Sequence, residues 1–405
     1  MEKELFSLAL GIKEPVYVDE IVFDTGTGEL HIYMDFAQGG RFNCSKCGIA
    51  DLPVYDTVEK KWRHLNFFQY KCYIHMRTPR TKCQKCGVHL WIPSWGREQS
   101  GFTLLFEAFV MILAKKGLPI SQISELVKEH DTRLWRVISH HVEKAYKEKS
   151  FASVKRVGCD ETSSRKGHNY VTIFADMDSG EVLFATEGKD SKTIKAFSNE
   201  LVNHNASSEQ INEVAIDMSK AFISGVSDYL PKANTTFDKF HVIQALNKAQ
   251  DEVRRMEQKT NPLLKGSRYI WLKNPNNLTR KQKVQLASLP FKNLKTAKVY
   301  QMKLVFQDIY RNIYDPNIAI ELIKKWLSWA FRSRLSPVKA FAKMIKSHFD
   351  GIIRYFTSRL TSGVMESINS RIQGIKRRAR GFRNINNFIT MIYLETAGLN
   401  LKLPT

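Results

Sequence analysis

Val154 to Asp178 reads VKRVGCDETSSRKGHNYVTIFADMD, and this stretch decides the fold. Val154 to Gly158 is a short β-branched run that ends on two acids, Asp160 and Glu161. A polar, glycine-containing turn, Thr162 to Gly167, leads to a second strand, Tyr170 to Ala175. A carboxylate at the end of a buried strand fixes a hard oxygen ligand on a rigid element, as metal-dependent phosphoryl transfer requires. The same residues equally fit a surface hairpin with an ordinary acidic tip. Alternation predicts that Glu161 points to the opposite face from Asp160.

Downstream the pattern settles into a sheet. Asp178-Ser-Gly180 is a turn, Glu181 to Thr186 a third strand, and Ser191 can cap a helix over Lys192 to Asn203. A fourth strand, Asn212 to Ile216, ends on Asp217. A helix over Ser219 to Tyr229 precedes a fifth strand, Asn234 to Phe237, which ends on Asp238. Three consecutive strands, then helix, strand, helix and strand, predict a ribonuclease H-like mixed sheet. In it the first and fourth strands are neighbours, so Asp160 and Asp217 converge although 57 positions apart. Asp238 and His241, three apart, fit either active-site support or a helix cap with a packed histidine. From Val242 to about Phe356 the chain is mostly helical and strongly basic, a helical insertion in which Trp271, Trp326, Trp329 and Phe331 are core residues.

The 405 residues carry 62 Lys and Arg against 40 Asp and Glu, a net charge of +22. That excess points to a polyanion, most simply nucleic acid. An anionic membrane is the competing surface, but the most apolar run, Phe102 to Ala114, is too short to span and contains Glu107. The start, MEKELFSLAL, lacks the features of a secretion signal. The expected location is the cytoplasm.

Cys44-Ser-Lys-Cys47-Gly and Cys83-Gln-Lys-Cys86-Gly are matching knuckles. Two residues between thiolates let both sulfurs face one tetrahedral ion, so Cys44, Cys47, Cys83 and Cys86 are expected to hold one structural Zn2+. Lys61 to Met76 between them is strand-like. Cys72, His64, His75 and His89 lie nearby as core or surface residues. Beyond Phe102 the spacing turns helical. Gly117 and Pro119 break it, Ser121 precedes a helix over Gln122 to Glu129, and Thr132 can cap a second over Arg133 to Tyr146. Two short helices with a basic second one resemble a helix-turn-helix, with Arg133 and Arg136 placed to meet DNA.

The other informative stretch is SGVMESINSRIQGIKRRARGFR, Ser362 to Arg383. On a helix, Val364, Ile368, Ile372 and Ile375 share the buried side, and Glu366, Asn369, Gln373, Arg377 and Arg380 the opposite one. One face thus runs from a carboxylate through amides into a basic cluster.

Taken together, GCDETSSRKGHNY, VAIDMSKAF, FDKFH and SGVMESINSRIQGIKRRARGFRN, behind the paired CxxCG knuckles, resemble the bacterial insertion-sequence transposases with an Asp-Asp-Glu triad. The similarity is to the subgroup with an N-terminal zinc finger and helix-turn-helix, and it covers nearly the whole chain. It implies a triad of Asp160, Asp217 and Glu366 holding two Mg2+ or Mn2+ ions, and leaves both readings of Asp238 and His241, active-site support or helix cap, open. It implies DNA-backbone contacts from Lys376, Arg377, Arg378, Arg380 and Arg383. The activity implied is binding of terminal inverted repeats, cleavage at the element's ends and transfer of the 3′-OH ends to target DNA, by a homodimer or larger assembly. Two other readings remain: a domesticated sequence-specific DNA-binding regulator, and a structure-specific nuclease on the same core. The expected fold is multidomain α/β: a zinc-ribbon-like β module (1–95), a helix-turn-helix domain (96–150), and a ribonuclease H-like core (151–245 and 351–405) interrupted by an all-α insertion (246–350).

Overall fold

The computed structural model describes residues 2–165, 169–289, 293–360 and 363–403. Gly167 of the expected turn, His168 of the GCDETSSRKGHNY motif and Ser362 fall outside them. The chain forms two compact units, one of the residues up to Tyr146 with those from Leu399 onward, the other Lys147–Gly398.

The first unit opens with helix α1 (Glu2–Ala9) and six strands: β1 (Val16–Asp24), β2 (Glu29–Phe36), β3 (Arg41–Phe42), β4 (Leu52–Phe67), β5 (Tyr70–Cys83) and β6 (Gly87–Leu90). They form one sheet of order β1-β2-β5-β4-β3, with β6 on β5. Period-two alternation buries Leu30, Ile32, Met34 and Phe36 of β2 and Cys72, Ile74 and Met76 of β5 against Trp62, Phe42 and Trp95. At roughly 1.5–3 kcal/mol for each large side chain, this face is the module's main stabilisation. The strand expected over Lys61 to Met76 is instead a hairpin. It turns at Phe68, whose φ of 54° is left-handed.

Three helices follow: α2 (Leu104–Lys115), α3 (Ile120–Val127) and α4 (Asp131–Lys147). Thr103 caps α2, accepting from the Phe106 N–H. The cap expected for α4 is not used, and α3 starts earlier than expected. Pro119, with no side-chain bond, begins α3, and α4 already starts at Asp131, which puts Thr132 in its first turn. Arg63 of β4, 1% exposed, ties these helices to the sheet. Its Nε lies 3.5 Å from Glu129, between α3 and α4, its guanidinium donates to the Cys72 carbonyl at 3.2 Å, and Tyr73 and Phe106 flank it.

In the second unit, β7 (Arg156–Ser163), β8 (Tyr170–Asp176), β9 (Val182–Glu187), α5 (Ser191–Asn203), β10 (Glu213–Ile216), α6 (Lys220–Tyr229) and β11 (Asn234–Phe237) follow the expected succession. Sheet order is β11-β10-β7-β8-β9, with β7 to β9 antiparallel and β10 and β11 parallel to β7. That is the ribonuclease H-like arrangement. Asp190, not Ser191, caps α5. Helix α7 (Lys239–Gln258) begins the helical region, and the expected division at 245–246 falls inside it. Then come α8 (Arg268–Leu272), α9 (Arg280–Ala287), α10 (Lys295–Asn312), α11 (Pro316–Arg332), α12 (Ser336–Ser347), α13 (Phe349–Ser358), α14 (Gly363–Arg378) and α15 (Ile385–Thr396). Trp271 and Trp326 are buried in this region, as expected of core residues. The chain returns to the sheet through α13 on β11, α14 on β7 and α15 on β9. Among the described residues, no helix is long and apolar enough to cross a membrane.

Candidate active site

Asp160 is not at the end of its strand. It sits inside β7, opposite Ile173 of β8. The parallel ladder to β10 is shorter, and its last pair is Ala215 with Gly158. Beyond that pair the chain leaves β10 at Asp217, so the side of β7 that carries Asp160 opens toward Asp217. Strand length, not strand end, makes the acid accessible. The Ser219 N–H donates to Asp217 Oδ1 at 2.9 Å, and Ser219 itself caps α6.

Helix α14 lies along β7 because Gly158 lets it. A Cβ at Gly158 would stand 2.7 Å from the Met365 sulfur and 2.4 Å from that of Met177. With the helix this close, Asn369 Nδ2 donates to Asp160 Oδ2 at 2.6 Å, Gln373 Nε2 to Thr162 Oγ1 at 2.9 Å and Lys376 Nζ to the Ser163 carbonyl at 2.7 Å. The expected division of α14 into a buried side and an opposite polar one therefore needs correction in its members. Met365 joins Ile368, Ile372 and Ile375 in the buried row, Val364 is only half-buried, and the amides face the sheet. The helix also stops at Arg378. Arg380 adopts a left-handed φ of 53°, followed by Gly381.

Glu366 is exposed one turn before Asn369. It lines a cavity of about 240 Å³ with Lys239, Phe240, Ile243, Asn274, Gln307 and Arg311. Burial raises the Asp160 carboxyl, partly offset by the Glu161 N–H at 2.8 Å, His241 and Asn369, while Asp217 raises it further. Glu161 is raised by burial and then by Asp217, ahead of Asp160. Sequence alternation set Glu161 aside, yet it shares the field of the other two acids. Among the described residues the acids do not bring one oxygen each within 4.8 Å as a set of three. Asp238 caps α7, accepting from the Phe240 N–H at 2.9 Å, and lies 3.9 Å from His241 Nε2. Asp160 and Glu161, half-buried and raised in part by the neighbouring Asp217, suit a divalent cation, whose charge offsets the repulsion, and hard oxygen donors fit Mg2+ or Mn2+.

In the first unit, Cys44, Cys47, Cys83 and Cys86 bring their sulfurs within 4.8 Å of one another, the spacing of a tetrahedral thiolate set. Cys47 and Cys83 are 3.5 Å apart. The N–H groups of Cys47 and Lys46 lower the Cys44 thiol to about 6, while the neighbouring Cys47 thiol pushes Cys86 up to about 12. One thiol in the set thus ionises readily and another holds its proton, which a bound cation would displace. Cys72 stands outside the set, raised to about 11 by burial, and His64 is lowered to about 4 by the same cause.

The cations expected at DNA divide into two groups. Arg136, Arg377, Arg380 and Arg383 are exposed. Arg133 is held by Glu129 and lies over Phe102, Arg378 pairs with Glu395, and Lys376 is bonded to β7.

Comparison with known proteins gives a consistent set of similarities. Residues 157–392 match the ISL3 family model described as "Transposase". Residues 92–142 match the helix-turn-helix domain of transposase family ISL3, and 41–86 the zinc-finger of transposase IS204/IS1001/IS1096/IS1165. The transposase for insertion sequence element IS1557 of Mycobacterium tuberculosis is 26% identical, covering 99% of this chain and 97% of the relative. That for IS1001 of Bordetella parapertussis is 28% identical, covering 86% and 87%. A chain of a simian T-cell lymphotropic virus intasome structure overlaps 48% of this chain and 64% of its own at 13% identity, with a TM-score of 0.19, too low to carry an argument.

Proposed function

The chain belongs to the ISL3 family of transposases, and from that premise we propose that Asp160, Asp217 and Glu366 form the divalent-metal site of its DNA cleavage and strand transfer. The observation that carries the assignment is the contact of α14 with β7. Through it the helix bearing Glu366 reaches Asp160 by way of Asn369, beside the strand that ends at Asp217. Two Mg2+ ions bound there would supply activation of the attacking oxygen and stabilisation of the leaving one. The protein's part is orientation. Ser219 N–H and Asn369 hold the two aspartates, and Glu161, Asp238 and His241 adjust the local charge.

The helix-turn-helix, with Arg133 and Arg136, reads the terminal inverted repeats, while Lys376, Arg377, Arg378, Arg380 and Arg383 follow the backbone near the site. Residues 1–95 and 96–150 act as the recognition part, 151–245 and 351–405 as the catalytic core, and 246–350 as its insertion. Joining two element ends to one target requires at least a homodimer, working at the nucleoid.

The test is joining. A pre-cut element end with a free 3′-OH, incubated with a target duplex and Mg2+, should give covalently joined product. Cutting without joining would make the protein a nuclease, and specific binding with neither reaction would make it a regulator. A finer expectation concerns Asn369. Its replacement by Ala removes the side-chain donor to Asp160, so half-maximal cleavage should need about 10–100-fold more Mg2+, as when partners of ligating residues are lost. An unchanged metal requirement would remove Asn369 from the site.

A further inference from the structure

The chain's positive charge is not concentrated in its DNA-reading helices. Residues 1–150 hold 21 Lys and Arg against 18 Asp and Glu, and residues 151–245 hold 10 against 13. Residues 246–350 hold 22 against 7, and 351–405 hold 9 against 2. Of the net +22, the helical region therefore supplies +15. Its centre is more one-sided still. From Gln258 to Gln307 there are 11 Lys and Arg and no acid.

Its described residues share a small core of their own, formed by Leu264, Trp271, Leu289, Leu294, Ala297 and Tyr300. Helix α9 is closed by a Thr279–Gln282 capping box and buries none of its residues, so its Arg280, Lys281 and Lys283 all stand exposed. Lys259, Lys265, Lys295 and Lys298 are exposed on the segments that share the same core. Among the described residues none of these seven joins an ion pair. The pairs in this region are Arg254 and Arg268 with Asp251, and Lys324 with Glu321. Glu257, the last acid before the stretch, is occupied at the start of α10, where it accepts the Lys295 and Thr296 N–H groups at 2.8 and 2.7 Å. Lys303 shows the contrast. It is buried, and its Nζ donates to the Trp271 and Leu272 carbonyls at 2.6 and 3.0 Å, so its task is structural. The exposed seven have no such task. Like charges gathered without counter-charges repel one another and cost stability, an arrangement relieved when a polyanion approaches.

We infer that the seven exposed cations, Lys259, Lys265, Arg280, Lys281, Lys283, Lys295 and Lys298, form a binding surface for the phosphate backbone of duplex DNA, centred on α9 and distinct from the helix-turn-helix and from the cations after Ile375. The inference rests on the transposase reading only for the choice of polyanion. It places the sequence-independent share of affinity in the insertion and leaves sequence reading to the first unit.

The experiment uses the full chain and a labelled duplex of random sequence, without divalent metal, titrated across a salt series. In the variant Arg280→Gln/Lys281→Gln/Lys283→Gln the slope of log K against log salt should become shallower by about 0.9 for each residue that holds a phosphate. The loss should be equal on element-end and random duplexes. The control Lys192→Gln/Lys195→Gln/Lys220→Gln removes as much charge from the exposed surface of α5 and α6 and should leave the slope in place. An unchanged slope in the first variant, an equal change in the control, or a larger loss on duplex RNA than on DNA would each overturn the inference. Because no strand is cut, the outcome is independent of the joining assay. Joining with an unchanged slope refutes this surface alone, and a changed slope without joining refutes the catalytic assignment alone.

Discussion

Asp217→Asn should lower both cleavage and joining by about 10³-fold or more while leaving affinity for element ends within a factor of about two. The size follows from what a ligated divalent ion contributes. Losing several kcal/mol of charge stabilisation at the reacting phosphate costs a factor of ten for every 1.36 kcal/mol. The selectivity follows from position. Asp217 stands just beyond the last β10–β7 pair, half-buried, and accepts from the Ser219 N–H, a bond that an amide oxygen can still accept. The substitution is isosteric and leaves the start of α6 intact, so folding and the recognition helices are not disturbed. Gel resolution of cleaved and joined oligonucleotides, with anisotropy for binding, reads both quantities. Cleavage within tenfold of the parent would exclude Asp217 from the metal site. Glu161→Gln separates the acids further. A group that shapes the field without holding metal should cost far less than Asp217, and an equal loss would make Glu161 a ligand.

Much of the sheet that carries the candidate site is legible in the sequence, for reasons that can be named. The catalytic sheet follows from local alternation and from crossover rules that leave few topologies, so β11 falls on the expected residues and β10 begins one residue later. What escaped reading is non-local or depends on unusual backbone. Strands β1 and β2 join a sheet whose β2–β5 pairing links Leu30 to Cys72, and no short-range signal announces that partner. The β4–β5 turn lacks a glycine and uses Phe68 in a conformation such residues rarely adopt. Periodicity places Asn369 and Gln373 on the face opposite the isoleucines but does not say what that face meets. They face inward because the β7 edge offers Asp160 and Thr162, polar partners that a helix read in isolation does not contain. The charge of the insertion was plain in composition, but its exposure without ion pairs required the fold.

Cys83→Ser should release the zinc and lower the melting temperature of the first unit by about 10 °C or more, together with affinity for element ends. Cys83 is 2% exposed, ends β5 opposite Gly87 of β6, and lies 3.5 Å from Cys47, so it joins the second knuckle both to the sheet and to the first knuckle. Structural zinc contributes about 10–16 kcal/mol of apparent binding energy in small domains. Here an independent core of Ile32, Ile74 and Trp62 persists without it, so only part of that energy appears as unfolding. A loss of about 5 kcal/mol corresponds to the stated shift for a unit of this size. Cys72→Ser is the control, because Cys72 is equally buried but outside the cluster. It should retain full zinc content, measured by metal analysis. Zinc retained in Cys83→Ser with an unchanged melt would dismiss the four-cysteine site. The same preparation tests the separation of the two metals. Thiolates favour zinc and carboxylates favour Mg2+, so mild chelation that stops strand transfer should leave the thiolate-bound zinc in place, and added Mg2+ alone should restore joining in the parent. If zinc had to be restored as well, the first unit would be coupled to the reaction itself and not to end binding alone.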